Sequence, residues 1–354
     1  LHYYSQCISF PEWMSLLTIC LSPLIAHVVS GTPPVSHISR TRPKWHDYLC
    51  HYNPTSIIWR YAAITDRRIR AIDWNNYDLA SSNAIFWTTN GWDGSEQLAL
   101  TAIPYCVRLP DCTHVRVVSG TVLKTVITTL QGLGALYTLA ASLGQSYGIQ
   151  VVHAFAVDNI FLPLAILGLL RFFAATWLTE DLFYSLPENL RGATSPQENS
   201  FSVTAQCHLK AINSYDNLDP CLMKAFELEG RFKPPRSSWP SRTFRMLYLM
   251  MVGGIWVIPI SYTIPLTLFA GKNVEVVYSM TALLVISFFL FLLTISFVLY
   301  CVYFFQGKTT TTIIPCISKL WYKVYTFLLV GYMVIMIIVA CIETNKDPWG
   351  KYSS

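Results

Sequence analysis

The stretch VYSMTALLVISFFLFLLTISFVLYCVY, residues 277–303, runs for 27 residues without one charged side chain. Roughly 20 apolar residues wound as a helix cover the ~30 Å of hydrocarbon in a bilayer. A helix in a water-soluble domain needs a polar face, and this one has none to offer. Two more stretches, 246–269 and 320–341, share the character, and 153–178 follows with two charges inside it. The stretch 118–142 is more polar but long enough, and 13–30 is short and interrupted by Pro23. Charged residues make up 13% of the chain, about half the ~25% of a soluble domain. The expected fold is therefore all-α, a polytopic transmembrane helical bundle with six spans, or five if 13–30 lies at the interface or is cleaved.

Lysine and arginine in the loops set the orientation. Residues 31–117 hold nine, residues 179–245 hold eight, and Lys308, Lys319 and Lys323 add three. The opposite side holds Lys272, Lys346 and Lys351. Twenty against three predicts two long cytosolic loops and an outer C-terminal tail. The expected organisation is 1–30 with the first span, 31–117 as an aromatic basic loop, 118–178 with spans two and three, 179–245 as a second loop, 246–341 with spans four to six, and 342–354 as the extracytosolic tail.

Within the first loop, Asn53 followed by Pro54 predicts a helix start. Ile58, Ala62, Thr65, Ile69 and Ile72 then recur at helical spacing. Arg60, Arg67 and Arg70 fall away from that stripe, which predicts a basic amphipathic helix lying on anionic lipid or packing on the bundle, with those arginines as candidate lipid contacts. The loop's nine cations face seven carboxylates, so no broad basic face exists to collect phosphates, and nucleic acid is excluded as a partner. In the second loop, 189–218 is polar, 219–230 reads as a short helix, and 231–242 as a proline-rich connector.

Motifs with chemical content are scarce. His46, Cys50 and His51, and separately Cys106, Cys112 and His114, lack the CxxC pairing of a zinc site, so no metal and no cofactor is expected. The ten cysteines stand singly and predict free thiols. FFQGKTTTT (304–312) ends like a phosphate-binding loop, but Val302 stands where its first glycine belongs. His153 and Asp158 have a spacing that turns a helix through about 140° and so do not converge. Charges inside spans are functional candidates by default, and Lys124, Asp158 and Arg171 form the candidate intramembrane site. Lys124 and Arg171 sit at similar depth, which calls for a lipid phosphate, a bound anion or a carboxylate such as Glu180 between them, or for both to reach out to the headgroups.

RPKWHDYLCHYNPTSIIWRYAAITDRRIRAIDW (42–74), SNAIFWTTNGWDGSE (82–96) and ETNKDPWGKYSS (343–354) resemble uncharacterised multi-pass membrane proteins of filamentous fungi. The resemblance implies an integral membrane protein and transfers no activity or site residue. Two functional classes follow from the residues. The first is a small-solute transporter or channel, drawn from the intramembrane charges and from Gly253, Gly254, Pro259 and Pro265 in one span. The second is a non-catalytic scaffold or sensor whose cytosolic loop binds a partner or lipid headgroups. An enzyme ranks third, because no catalytic residues converge. Plasma membrane and endomembrane are not distinguished, and no protein partner is identified.

Overall fold

The computed structural model describes residues 8–37, 42–88, 90–102, 106–144, 155–184, 231–263, 279–347, 350 and 352–353. The expected helix over 219–230, the polar stretch 189–218, His153 and Lys272 lie outside the described residues. The chain is mostly helical. Ten α-helices are named here: α1 (Phe10–Pro23), α2 (Trp45–Leu49), α3 (Pro54–Arg70), α4 (Asn76–Asn83), α5 (Glu96–Thr101), α6 (Gly120–Gly144), α7 (Leu162–Gly168), α8 (Trp239–Thr263), α9 (Met280–Gln306) and α10 (Leu320–Glu343). Short strands also form, beyond the all-α expectation. Val35–His37 pairs in parallel with Ile85–Thr88, which pairs antiparallel with Gly91–Asp93.

Four helical rods are long and apolar enough to cross a membrane: Phe10–Val29, Trp239–Ser261, Met280–Gln306 and Leu320–Glu343. Pro23 does not end the first. It lacks an N–H, and the chain continues beyond it as a π-helix over Leu24–Val29. Ser279 caps α9 by accepting from Ala282 N, and Gly307, at φ 70°, closes it in the left-handed turn that a side chain resists. The α8 helix runs unbroken through Gly253, Gly254 and Pro259, so these residues do not interrupt the described part of that span. Gly253 instead lets the Phe297 ring approach to 3.4 Å of the position a Cβ would take.

The α6 helix, 25 residues long, carries Lys124, Gln131 and several threonines and stands outside those four. Its outer face is nonetheless apolar: Leu123, Val126, Leu130, Leu133 and Tyr137 are all exposed. Their 3,4,3,4 spacing is one helix stripe. The stretch 153–178 resolves differently from the expected single span. It turns over residues 156–161, then forms α7, and Leu169–Trp177 continues as a 3₁₀-helix. This 16-residue rod is largely enclosed by protein, with Phe172 exposed.

Polar contacts show which helix ends lie together. At one end, Lys124 of α6 meets Glu180 at 2.7 Å, and Arg245 of α8 donates to the Phe304 carbonyl at the close of α9. Asn53 there donates to Thr326 near the start of α10, and Asp47 meets Lys323 at 2.5 Å. At the opposite end, Lys346 pairs with Glu12 at 2.8 Å, Thr281 N donates to Glu343, and Val157 N donates to Thr344. Neighbouring rods thus run in opposite directions.

The helix α3 lies along the first of these ends, and 15 of its 17 residues are buried. Asn53 caps it as the sequence predicts, accepting from Thr55 N at 2.9 Å. Hydroxyls from three long helices fasten it. Tyr300 donates to the Thr55 carbonyl at 2.6 Å and Tyr248 to that of Ile58 at 2.8 Å, while Ser56 and Tyr322 share a bond of 2.6 Å. Below it, Trp59 packs among Tyr300, Tyr303 and Phe304. A buried hydrogen bond contributes about 1 kcal/mol net, and each also fixes register where apolar packing alone would allow sliding.

Candidate functional site

Arg60, Arg67 and Arg70 do not lie on a lipid-facing surface, which corrects their assignment as lipid contacts; α3 instead packs on the bundle, the other alternative its pattern allowed. Their exposures are 7%, 1% and 0%, whereas Ile72, on the opposite stripe, is 58% exposed. The polar face of α3 is covered by α4, α5, the loop after α9 and the connector before α8. These supply oxygens that local spacing does not reveal. Arg67 donates to the carbonyls of Gly94 at 2.6 Å and Thr310 at 2.9 Å. Arg70 donates to Asp66 at 2.9 Å, to the carbonyls of Lys233 and Thr309, and to Glu96. The phosphate-loop look-alike at 304–312 therefore presents carbonyl oxygens to arginines, the reverse of the N–H donors that cradle a phosphate.

The arginines divide into two groups. Arg67 and Arg70 have carboxylates within reach, with Glu96 3.8 Å from Arg67 Nε. Arg60 and Arg171 have no ion-pair partner among the described residues. Both close on the end of the rod formed by α1 and its π-turn. Arg60 donates to the Gly31 carbonyl at 3.1 Å, and to Asn83 through its carbonyl at 3.0 Å and side-chain oxygen at 3.3 Å. Arg171, 2% exposed, donates to the Ser30 carbonyl at 3.0 Å and to Thr125 Oγ1 at 3.0 Å. A helix C-terminus carries about half a negative charge, so two guanidiniums here are partly but not fully compensated.

Around this junction stand polar groups with no partner among the described atoms: both ring nitrogens of His27, Tyr61 Oη and His51 Nε2. His27 and Tyr61 ring centroids are 6.4 Å apart, and the Arg171 guanidinium lies 6.0 Å from the Tyr61 ring. Gly31 permits the close approach, since a Cβ there would meet Ile57 at 2.6 Å and Tyr61 Oη at 2.9 Å. Beside Gly31 is a small, partly open pocket of about 10 Å³, whose polar walls are Arg60, His51, Ser56 and Thr312. Burial lowers the Arg60 pKa to about 10, leaving it cationic at neutral pH. Burial, aided by Arg60, lowers that of His51 to about 3, so its imidazole is neutral.

The expected intramembrane site comes together only in part. Lys124 turns outward, 38% exposed, and its ammonium is held by Glu180 at 2.7 and 2.8 Å. Asp158 precedes α7, near the Val157–Thr344 contact at the opposite end. From Leu162 to Arg171 the rod spans roughly 16 Å, so Asp158 and Arg171 do not meet. Arg171 instead joins Arg60, which the sequence assigned to another role. His27 and Tyr61 gave no sequence signal, being single polar groups in apolar runs. His51 stood out only beside Cys50 and His46; its ring packs edge-on against Trp92 at 4.3 Å.

No family model matches the chain, and no curated protein or solved structure matches it.

Proposed function

We propose that the chain is a six-span integral membrane protein of the small-solute transporter or channel class, with its solute site at the junction of Arg60, Arg171, His27 and Tyr61. The observation that carries this reading is the presence of two ion-unpaired guanidiniums and several unpartnered polar groups among helices that otherwise present apolar faces. Charged and polar groups are costly in such a setting and are retained where they act on a solute. Six spans are supported by the alternation of helix ends, by the apolar outer stripe of α6, and by the length of the α7 rod. Its nine 3₁₀ residues stretch sixteen residues to ~28 Å, about the hydrocarbon thickness. The cytosolic side is assigned to the end bearing α3 from the charge asymmetry. The fungal resemblance belongs to the same proposal.

The test is flux through liposomes containing the purified protein, with chloride, nitrate, acetate and glycerol as probes. Arg171→Gln is expected to change the flux of at least one probe by tenfold or more, and Lys124→Ala to leave all of them within twofold of wild type. Wild-type protein that is folded and passes none of the four removes the reading.

A second reading, a scaffold or sensor gripping anionic headgroups, draws on another surface. Val117 and Val118 are exposed beside Arg116 at the start of α6. It ranks below the first because α3, the most distinctive part of the loop, has no free face to offer.

A further inference from the structure

The cavity beside Gly31 is an unusual place for a cation. Five isoleucines and Pro33 form most of its wall, and Arg60 enters it without a carboxylate among the described residues. Two carboxylates act on this neighbourhood from a distance, and both are engaged elsewhere. Glu180 is held by Lys124 at 2.7 Å and Asp47 by Lys323 at 2.5 Å. His51, 4% exposed, lines the cavity with Nε2 unpartnered. Next to His51 is Trp92, whose indole N–H also has no partner among the described atoms and which can only donate. Close by are the unpartnered Tyr61 hydroxyl and the second ion-unpaired guanidinium, Arg171. The junction thus holds two full positive charges with no carboxylate paired to either among the described residues, and what it lacks is negative charge.

Size narrows the occupant. The pocket is small, with about 10 Å³ of free space, and favours a compact ligand over phosphate, sulfate or a carboxylate. Water also fits and finds partners in Arg60, His51, Ser56 and Thr312, but it leaves the charge uncompensated. A monatomic anion is tolerant of apolar walls, and it gains from the guanidinium in a medium where Coulomb attraction is several times stronger than in water. We infer that this cavity binds a single halide-sized anion between the Arg60 guanidinium and the His51 imidazole, with chloride as its physiological form. The inference rests on the transport reading above for its purpose, and on the cavity alone for its existence. His51 serves as donor through the tautomer that carries its proton on Nε2, and the anion supplies the charge that Gly31 and Asn83 oxygens only partly provide.

The experiment is ³⁵Cl NMR line broadening on full-length protein in detergent, with gluconate replacing chloride at fixed ionic strength. Wild type is expected to give saturable broadening that bromide displaces. Arg60→Gln is expected to weaken binding at least tenfold, His51→Phe at least threefold, and Lys124→Ala not at all. No saturable broadening from monodisperse wild-type protein overturns the inference, as does broadening that persists unchanged in Arg60→Gln. If Arg60→Gln does not fold, wild-type thermal unfolding decides. A saturable rise in Tm with chloride over gluconate, abolished in His51→Phe, supports the site, and equal Tm in both salts overturns it. Chloride binding without liposome flux keeps the site and removes the transport reading. Flux without binding removes the site and keeps that reading.

Discussion

Asp66→Ala is expected to lower stability by about 3–5 kcal/mol, the cost of taking one partner from a buried ion pair. Asp66 is fully buried. One oxygen accepts from Arg70 Nε at 2.9 Å, and the other accepts from Ser241 Oγ at 2.5 Å with Arg245 Nε 4.0 Å away. The carboxylate therefore joins the end of α3 to the beginning of α8, with two cations that solvent cannot reach freely. Arg70 would keep Glu96, so the loss falls most on Arg245 and on the α3–α8 junction. The measurement is thermal unfolding in detergent. A loss above 3 kcal/mol is a large share of the 5–15 kcal/mol typical of a folded domain and should appear as a collapsed or strongly lowered transition. An Asp66→Ala transition within 1 kcal/mol of wild type would show that the network is not formed.

The second large effect separates two glycines two residues apart. A Cβ at Gly132 would sit 2.5 Å from Leu169 Cγ and 2.7 Å from the Ala165 carbonyl oxygen, whereas Gly134 has nothing within 4 Å. The Ala165 oxygen is helix backbone and cannot step aside, so α6 would have to move off the α7 rod that carries Arg171. Gly132→Leu is expected to cost at least ~3 kcal/mol, at or beyond the upper range for overpacking. Gly134→Leu faces the apolar outside of α6 and is expected to be neutral or to stabilise by up to ~1 kcal/mol through helix propensity. Thermal unfolding of the two variants side by side checks this. Equal losses would contradict the packing of α6 on the α7 rod, and with it the position of Arg171.

These two cases mark what the sequence discloses and what it conceals. The long apolar rods α8, α9 and α10 are legible because hydropathy is local, and the Asn53–Pro54 helix start is legible because a cap needs only neighbours. Gly132 and Gly134 look alike in the sequence, yet only Gly132 makes a close helix contact, because helical phase relative to a partner is not written in one segment. The arginines of α3 misled for the same reason. A helix with apolar and basic faces looks alike whether its basic face meets lipid or a second layer of protein. The deciding partners of Arg67 and Arg70 include carbonyls of Gly94, Thr309 and Thr310, and carbonyls have no residue signature. One signal was present: seven carboxylates interspersed with nine cations in that loop fit an internal ion network better than a headgroup-binding face. The cluster of His27, Tyr61, Arg60 and Arg171 draws two groups from α3 and one from each of two other segments, so no local pattern could have assembled it.

The central claim is the threading: the end that carries α3 and the end that carries Glu12 and Lys346 lie on opposite sides of a membrane. The most direct measurement is labelling with a membrane-impermeant maleimide in sealed cells. One protein retains Cys112 alone, and a cysteine-free protein carries Asp347→Cys. Cys112 lies just before α6 at the α3 end, and Asp347 follows Lys346 at the other. The residue-347 thiol is expected to be labelled in intact cells, and Cys112 only after permeabilisation. Labelling of both thiols in intact cells, or of neither until the membrane is opened, would contradict the threading.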